Sequence, residues 1–503
     1  MNTETRTITL TVNGSPRTVT AGKSISEYLG SEQPCGGHGR CGKCKVIATG
    51  DLSPLSESEK NLLTEEELKK GFRFACLTAV LGDCSVVTLQ SDAGDVKAVT
   101  DGEMPEFPLN PAFVHYGAAI DIGTTTIAAG LYDTDGTLLC EAACLNPQIA
   151  WGADVISRIE AALDGKAESL ALSIRSAIDD ILAVLARKAS VSAEEIDGIV
   201  LTGNTVMLYL LTETDTEPLS HAPFTVHRSF GETVTADALG LSCIQPDTPV
   251  YLPPCMAAFI GADITCGILA TRLCESAESA LFADIGTNGE MGLWTKGKLT
   301  VCSTAAGPAF EGVGISMGMR GAPGAIDKVA VHGNQAVCHV IGDKPAVGIC
   351  GSGLVDAAAC LLRLGILDET GYLEEETVTL KDSVTLDQSD IRMLQLAKSA
   401  ICAGMTALSA SAGIQPEDVD HAIIAGGFGK YLDMGNAEYI GLIPAGLQDK
   451  IRVVGNASLT GAAMLLLSKN FRDTCYRIAG DAEILELSTD SVFVEQYMMG
   501  MMF

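Results

Sequence analysis

An apolar run ending in Asp-Ile-Gly-Thr occurs twice in this chain, and it constrains the possible folds more than any other feature. Ala118 to Thr126 reads AAIDIGTTT and Leu281 to Gly289 reads LFADIGTNG, with Asp121 and Asp284 163 residues apart. Self-similarity at a fixed offset is the mark of a duplicated unit. Each copy is followed far downstream by a second apolar run ending in glycine, IVLTGNT at 199–205 and AIIAGGFG at 422–429. Each half then closes with a Gly/Ala-rich helical stretch, GADITCGIL at 261–269 and TGAAMLLLS at 460–468. Apolar strands, glycine turns and Ala-rich helices in alternation predict α/β architecture. The pattern therefore predicts two related lobes, 116–275 and 276–503, facing a common cleft.

The residues before the first copy have a different texture. Residues 7–12, TITLTV, alternate polar and apolar, Asn13-Gly14 is a hairpin signal, and Arg17 to Thr20 resumes the strand. A short helix from Ser24, a strand KVIA, a polar helix around 56–70 and a strand at Ser85 to Leu89 complete a small mixed β-sheet domain over 1–91. The stretch from Ser91 to Ala112 then loses periodicity and gathers prolines and acids, which predicts an interdomain linker at 92–115. Three units suit 503 residues at roughly 150 residues per domain.

Charge narrows the partners. The chain has 63 Asp and Glu against 33 Lys and Arg, a formal charge of −30, so it lacks the basic surface that nucleic acid or an anionic membrane requires. Its N-terminus, MNTETRTITL, has no basic segment leading into an apolar core, and no apolar run reaches the ~18 residues that span a bilayer. These observations point to a cytoplasmic protein. The 17 cysteines are odd in number and most sit singly in apolar runs, which argues against a disulfide framework and for a reducing, anaerobic setting.

Four cysteines stand apart. Cys35-GGHGR-Cys41-GK-Cys44, with Cys76 in GFRFAC, has the form C-x5-C-x2-C followed by a distant fourth cysteine. This is close to the C-x4-C-x2-C…C spacing of plant-type ferredoxins, with one extra residue in the first interval. A [2Fe–2S] cluster needs four converging thiolates, so three come from one tight loop and the fourth from a remote element. Zinc knuckles usually pair two C-x2-C arms instead. Cys35, Cys41, Cys44 and Cys76 are therefore the expected ligands, with Cys84 the competitor for the fourth position.

The repeated pattern carries chemistry as well as fold. A strand ending in Asp-x-Gly-Thr places a carboxylate at its tip for Mg²⁺, while the glycine turn and a hydroxyl approach phosphate oxygens. Asp121 with Gly123 and Thr124 or Thr125, and Asp284 with Gly286 and Thr287, would grip a nucleotide from opposite lobes. Gly426, Gly427 and Gly429 would let backbone pass close to an adenosine. A single Asp-x-Gly-Thr is also an ordinary exit from a strand; two copies with a later glycine pair favour nucleotide binding.

Asp121-Ile-Gly-Thr-Thr, Asp284-Ile-Gly-Thr-Asn and AGGFG resemble the phosphate and adenosine motifs of the acetate and sugar kinase, Hsp70 and actin (ASKHA) superfamily. With NPQIAWGADVISRI (146–159), GNTVM (203–207), AAGPAFEG (305–312), GICGSGLVD (348–356), QLAKSAI (395–401) and VGNASLTGA (454–462), the whole chain resembles the reductive activators of corrinoid-dependent methyltransferases. The resemblance implies a β-grasp ferredoxin-like domain followed by two RNase H-like lobes. It implies Asp121 and Asp284 as catalytic carboxylates, Asn288 added to the ATP-binding set, and ATP with Mg²⁺ beside the cluster. It also implies a corrinoid protein of a methyltransferase system as partner, returned from Co(II) to Co(I), and a ferredoxin or flavoprotein as electron donor. An activase of a 2-hydroxyacyl-CoA dehydratase-like enzyme and a small-molecule kinase with a regulatory ferredoxin module are the alternative readings. Glu311 in AAGPAFEG is open between positioning water or Mg²⁺ and capping a glycine-rich turn.

Overall fold

The computed structural model describes residues 7–12, 15–29, 39, 44–88 and 102–503. In the N-terminal domain the alternation of TITLTV points Ile8, Leu10 and Val12 into a core with Val46, Ala48, Phe74 and Val86. Five strands form one mixed sheet in the order Ser15–Thr20, Thr7–Val12, Val80–Thr88, Lys45–Leu52, Phe72–Phe74. The first two pair antiparallel, whereas Thr7–Val12 runs parallel to Val80–Thr88. This is the expected β-grasp arrangement.

Two local expectations change. The polar helix around 56–70 is two helices, Glu57–Leu62 and Glu65–Lys69, because Leu63 turns extended to bury its side chain and Thr64 caps the second turn by accepting from the Glu67 N–H. The last strand begins at Val80 rather than Ser85, which places Cys84 in mid-strand opposite Leu10 and Gly50, packed into the core. Cys84 packs there in the core, whereas the sulfur that meets Cys44 is that of Cys76.

Each large lobe is built on a six-stranded sheet. The first runs Glu232–Thr235, Pro249–Leu252, Ile196–Gly203, Tyr116–Ile122, Thr126–Asp133, Leu138–Leu145. The second runs Ile451–Val453, His421–Ala425, Ala280–Ile285, Gly289–Thr295, Lys298–Thr304, Glu483–Ile484. In both, the strand bearing the repeated motif starts an antiparallel meander on one side and accepts a parallel strand on the other. The duplication read from two short motifs thus extends to whole sheets.

The central strands are apolar throughout because helices cover both faces. Helix Ala167–Ala189 lays Leu170, Ile174, Ile178, Ile181 and Leu185 on the first sheet. On the other face, helices Ala262–Thr271 and Ala457–Leu467 are buried almost all round, as their unpatterned apolar sequences require. They join both lobes in one core containing Val200, Ile264, Phe282, Ile423 and Leu465. Their crossing is so close that a Cβ on Gly461 would lie 2.0 Å from the Cys266 carbonyl oxygen. Helix Ala457–Leu467 belongs to the second half in sequence, yet it packs on Tyr116–Ile122 and Ile196–Gly203 of the first sheet.

The chain approaching the lobes is held along this helix. Gly102 bridges to Gly455, Asn110 to Ser468, and the Phe107 ring meets Phe471 edge-on at 5.1 Å. The described part of the expected linker is therefore docked structure. Among the described residues no helix is long and apolar enough to cross a membrane.

The strand leading to Cys76 is pinned by a buried ion pair. Glu59 is fully buried and accepts from Arg73 Nε at 2.8 Å, the Phe74 N–H at 3.0 Å and Thr78 Oγ1 at 3.2 Å. Burial alone would raise its pKa, but Arg73 and the N–H groups of Ser56 and Phe74 hold it at about 2. Its contribution is thus fully present above the ordinary carboxylate value of about 4.3 and is lost as pH falls toward 2. Glu59→Gln is expected to lower the opening free energy of the Phe74–Thr78 segment by about 3 kcal/mol, read by amide hydrogen exchange of the full-length protein at neutral pH. Unchanged protection would refute the role assigned to this pair.

Candidate functional site

Parallel pairing explains why each repeat is followed by a strand ending in glycine. Asp121 and Ile122 pair with Thr202 and Gly203, and Asp284 pairs with Ala425 just before Gly426. Each Asp-Ile-Gly-Thr turn therefore lies beside the glycine exit of its neighbour, at the carboxyl ends of the strands, where α/β sheets bind ligands. The two turns face one another across the cleft.

Four carboxylates crowd this cleft. Asp121 accepts from Asn456 Nδ2 at 3.0 Å and Ser458 Oγ at 2.9 Å, both at the N-terminus of helix Ala457–Leu467. Burial raises its pKa, opposed by those two hydrogen bonds. Burial, reinforced by the charge on Asp121, pushes Asp284 up to about 7. Burial together with Asp121 and Asp284 pushes Asp263 up to about 8. Glu290 is raised well above the usual range by burial and by Asp263 and Asp284, while Asn288 hydrogen bonds to it and opposes the shift. Repulsion of this kind is relieved by a cation.

The threonines meet on one acceptor. Thr125 Oγ1 donates to Glu311 Oε2 at 2.7 Å, and Thr287 Oγ1 donates to Glu311 Oε1 at 2.5 Å. Glu311 thus bridges the two turns as an acceptor, a contact that neither of the roles left open by the sequence describes. The first Asp-Ile-Gly-Thr turn is braced from behind. Asn146 Nδ2 donates to the Gly123 carbonyl at 2.8 Å, and its backbone N–H donates to the Thr125 carbonyl at 2.9 Å. Buried Arg158 donates to the Thr124 carbonyl and, at 3.0 Å, to the Gly152 carbonyl. Burial lowers its pKa to about 10, opposed by Asp154 and Glu311.

Gly426 has φ +89, and a Cβ there would come within 2.7 Å of Asp284 Oδ1. Only glycine lets this turn fold back over the carboxylate. Gly427 follows in the same turn, and Gly429 opens a short 3₁₀ turn whose preceding Phe428 stacks on Phe310 at 4.5 Å. Two cavities of about 230 and 300 Å³ lie beside Arg272 and Arg452. They lack the paired carboxylate and threonine turns.

In the N-terminal domain Cys44 Sγ and Cys76 Sγ stand 3.2 Å apart. Their mutual hydrogen bond lowers the Cys44 pKa to about 7, against burial and with help from the N–H groups of Cys76, Cys44 and Ala75. Two thiols side by side with one so acidified suit a metal cluster that takes thiolates. Cys35 and Cys41 lie outside the described residues. Among the described residues, no three His, Cys, Asp or Glu side chains converge tightly enough to hold a metal ion alone. The cleft still fits Mg²⁺, because that ion uses one or two carboxylates plus phosphate oxygens and keeps its waters.

Local sequence gives no role to Asp263, Glu290, Asn146, Arg158, Asn456 or Ser458. Asn146, Arg158, Asn456 and Ser458 lay in segments picked out by resemblance but had no role there, because each acts on a turn far away in sequence. Asp263 and Glu290 sit on a helix and a strand that otherwise read as core, and a carboxylate within such an apolar run was the available signal.

Residues 10–81 match the 2Fe-2S iron-sulfur cluster binding domain, residues 116–276 the RACo middle region, and residues 278–503 the C-terminal domain of RACo, the ASKHA domain. The corrinoid activation enzyme RamQ of Eubacterium limosum is 38% identical over 426 residues, covering 77% of this chain and 70% of that one. The [Co(II) methylated amine-specific corrinoid protein] reductase of Methanosarcina barkeri is 27% identical over 415 residues, covering 76% of each. A solved structure of a reductive activator for corrinoid, iron-sulfur protein superposes with a TM-score of 0.72 at 29% identity, covering 99% of this chain and 98% of that one.

The carboxylate cluster has a pH signature. Asp284 and Asp263 titrate near 7 and 8 when folded, against about 3.9 when unfolded. The folded state therefore binds more protons in that window, and stability of the nucleotide-free protein declines as pH rises from about 4 to about 8. Thermal melts should fall across this range, fall less in Asp263→Asn, and recover with Mg²⁺ at the alkaline end. A wild-type melting temperature that rises with pH in that window would contradict the crowded-carboxylate picture.

Proposed function

This chain belongs to the family of reductive activators of corrinoid proteins, and we propose that it uses ATP to return an inactive Co(II) corrinoid protein to Co(I) by one-electron transfer. The observation that carries this reading is the pairing, in one chain, of a thiol site for a cluster with a two-lobed cleft of opposed carboxylate and threonine turns. Cys35, Cys41, Cys44 and Cys76 would hold a [2Fe–2S] cluster, which supplies a one-electron carrier near about −400 mV in plant-type proteins. Cys44 and Cys76 are already adjacent, and the Glu59–Arg73 pair fixes the strand that delivers Cys76.

In the cleft, Asp121 and Asp284 would hold Mg²⁺ with its waters, while Gly123, Thr124, Thr125, Gly286, Thr287 and Asn288 meet the phosphates. Gly426, Gly427 and Gly429 would form the adenosine side. Asp263 and Glu290, held protonated in the empty cleft, would ionise beside the cation and favour it. The proposed division is a cluster domain over 1–91, a linker over 92–115 and lobes over 116–275 and 276–503.

Reduction to Co(I) is uphill from such a cluster, so ATP has to contribute. A nucleotide cycle supplies the difference only if ATP-bound and ATP-free forms favour different complexes with the partner. Hydrolysis then resets the complex. The partner is a corrinoid protein of a methyltransferase system, the electron donor a ferredoxin or flavoprotein, and the setting an anaerobic cytoplasm. In this scheme nucleotide acts on the partner complex, and the cluster's own potential need not change.

The test is anaerobic mixing of the reconstituted protein, a reductant and Mg·ATP with Co(II) corrinoid proteins, following the Co(I) absorption band. The band should grow only when ATP is present, and Cys76→Ser should reduce its rate to that of reductant alone. Cobalt reduction at full rate without nucleotide would rule the proposal out.

A further inference from the structure

The contact between Glu311 and the two threonines joins three elements that the nucleotide reading leaves separate. Thr125 belongs to the first phosphate turn and Thr287 to the second, and both hydroxyls donate to the two oxygens of the same carboxylate. Glu311 ends the short turn Pro308–Glu311, which begins beside Gly307, whose N–H donates to the Thr287 carbonyl at 2.9 Å. The residue before it, Phe310, stacks on Phe428 of the GGFG turn with ring planes 21° apart. One turn thus touches both phosphate loops and the adenosine loop.

A carboxylate is a planar anion with two acceptor oxygens, and a terminal phosphoryl group is an anion with three. Each satisfies hydroxyl donors in the same way, through charge-assisted hydrogen bonds. Two such anions cannot share the same two hydroxyls, and their charges repel. We infer that Glu311 stands in for the terminal phosphate in the nucleotide-free cleft, bridging Thr125 and Thr287 until ATP displaces it. This inference rests on the cleft being the nucleotide site.

Displacement has a mechanical consequence. When phosphate takes the two hydroxyls, the Pro308–Glu311 turn loses its anchor across the lobes, and Phe310 carries the change to Phe428. Part of the binding free energy of ATP goes into breaking the bridge instead of into affinity, which is what a binding-driven switch requires. ADP, lacking the terminal phosphoryl group, leaves the bridge in place. Glu311 is therefore a specificity-determining residue for the conformational response to ATP.

The test measures Mg·ATP and Mg·ADP affinities of the full-length protein by equilibrium dialysis for wild type, Glu311→Ala and Glu311→Asp, with thermal melts of the same nucleotide-free samples. Aspartate keeps the charge but is one methylene too short to bridge both hydroxyls. Both variants should bind ATP about tenfold more tightly, equivalent to about 1.4 kcal/mol, and ADP within about twofold of wild type. Both should also melt at lower temperature without nucleotide. A gain in Glu311→Ala that is absent in Glu311→Asp would mean simple charge repulsion and would overturn the inference. Weaker ATP binding in both variants would make Glu311 part of the loaded site and overturn it equally. Wild-type protein that binds neither nucleotide would instead remove the nucleotide reading of the cleft, a distinguishable failure.

Discussion

Asp121 is held across the two halves of the chain, by Asn456 at 3.0 Å and Ser458 at 2.9 Å. Its carboxylate is carried by the first lobe, yet its hydrogen-bond donors, Asn456 and Ser458, come from the far end of the chain. Those donors sit at the start of a helix that packs on the first sheet while its sequence belongs to the second half. The helix end also suits an anion, since its free N–H groups and dipole favour negative charge. This contact ties the two halves of the chain at the carboxylate, over the core that the two buried helices share.

The same turn reaches outward. The Gly455 carbonyl accepts from the Gly426 N–H at 2.8 Å, and Gly455 bridges to Gly102, where the chain arrives from the N-terminal side. The carboxylate, the glycine turn of the second lobe and the docked end of the linker therefore share one support. In the proposed cycle, a change at the cleft has a short covalent and hydrogen-bonded route to the segment leading to the cluster domain. Crowded carboxylates are costly in the empty protein, whereas the interlobe bridge steadies it; in the proposed cycle a bound cation relieves the first and a bound phosphate replaces the second.

Much of this was legible in the sequence, because the informative residues are local. The hairpin of the N-terminal domain, the two apolar strands ending in Asp-Ile-Gly-Thr and their later glycine-ending partners all follow from short-range pattern, and the sheets pair them as that pattern implies. What was not legible depends on long-range packing. The helix break at Leu63 comes from burial of one side chain, and the longer final strand, with Cys84 in its core, comes from pairing with Leu10. The roles of Arg158, Asn146, Asp263 and Asn456 exist only once turns distant in sequence have been brought together, and no periodicity announces them.

In the proposed function the opposed Asp-Ile-Gly-Thr turns hold a magnesium nucleotide. Calorimetric titration of metal-free, full-length protein with ATP, with and without Mg²⁺, tests it most directly when wild type is compared with Asp284→Ala. One nucleotide per chain, strong Mg²⁺ dependence in wild type and loss of that dependence in the variant are expected. Binding of equal strength in both proteins, indifferent to Mg²⁺, would contradict it.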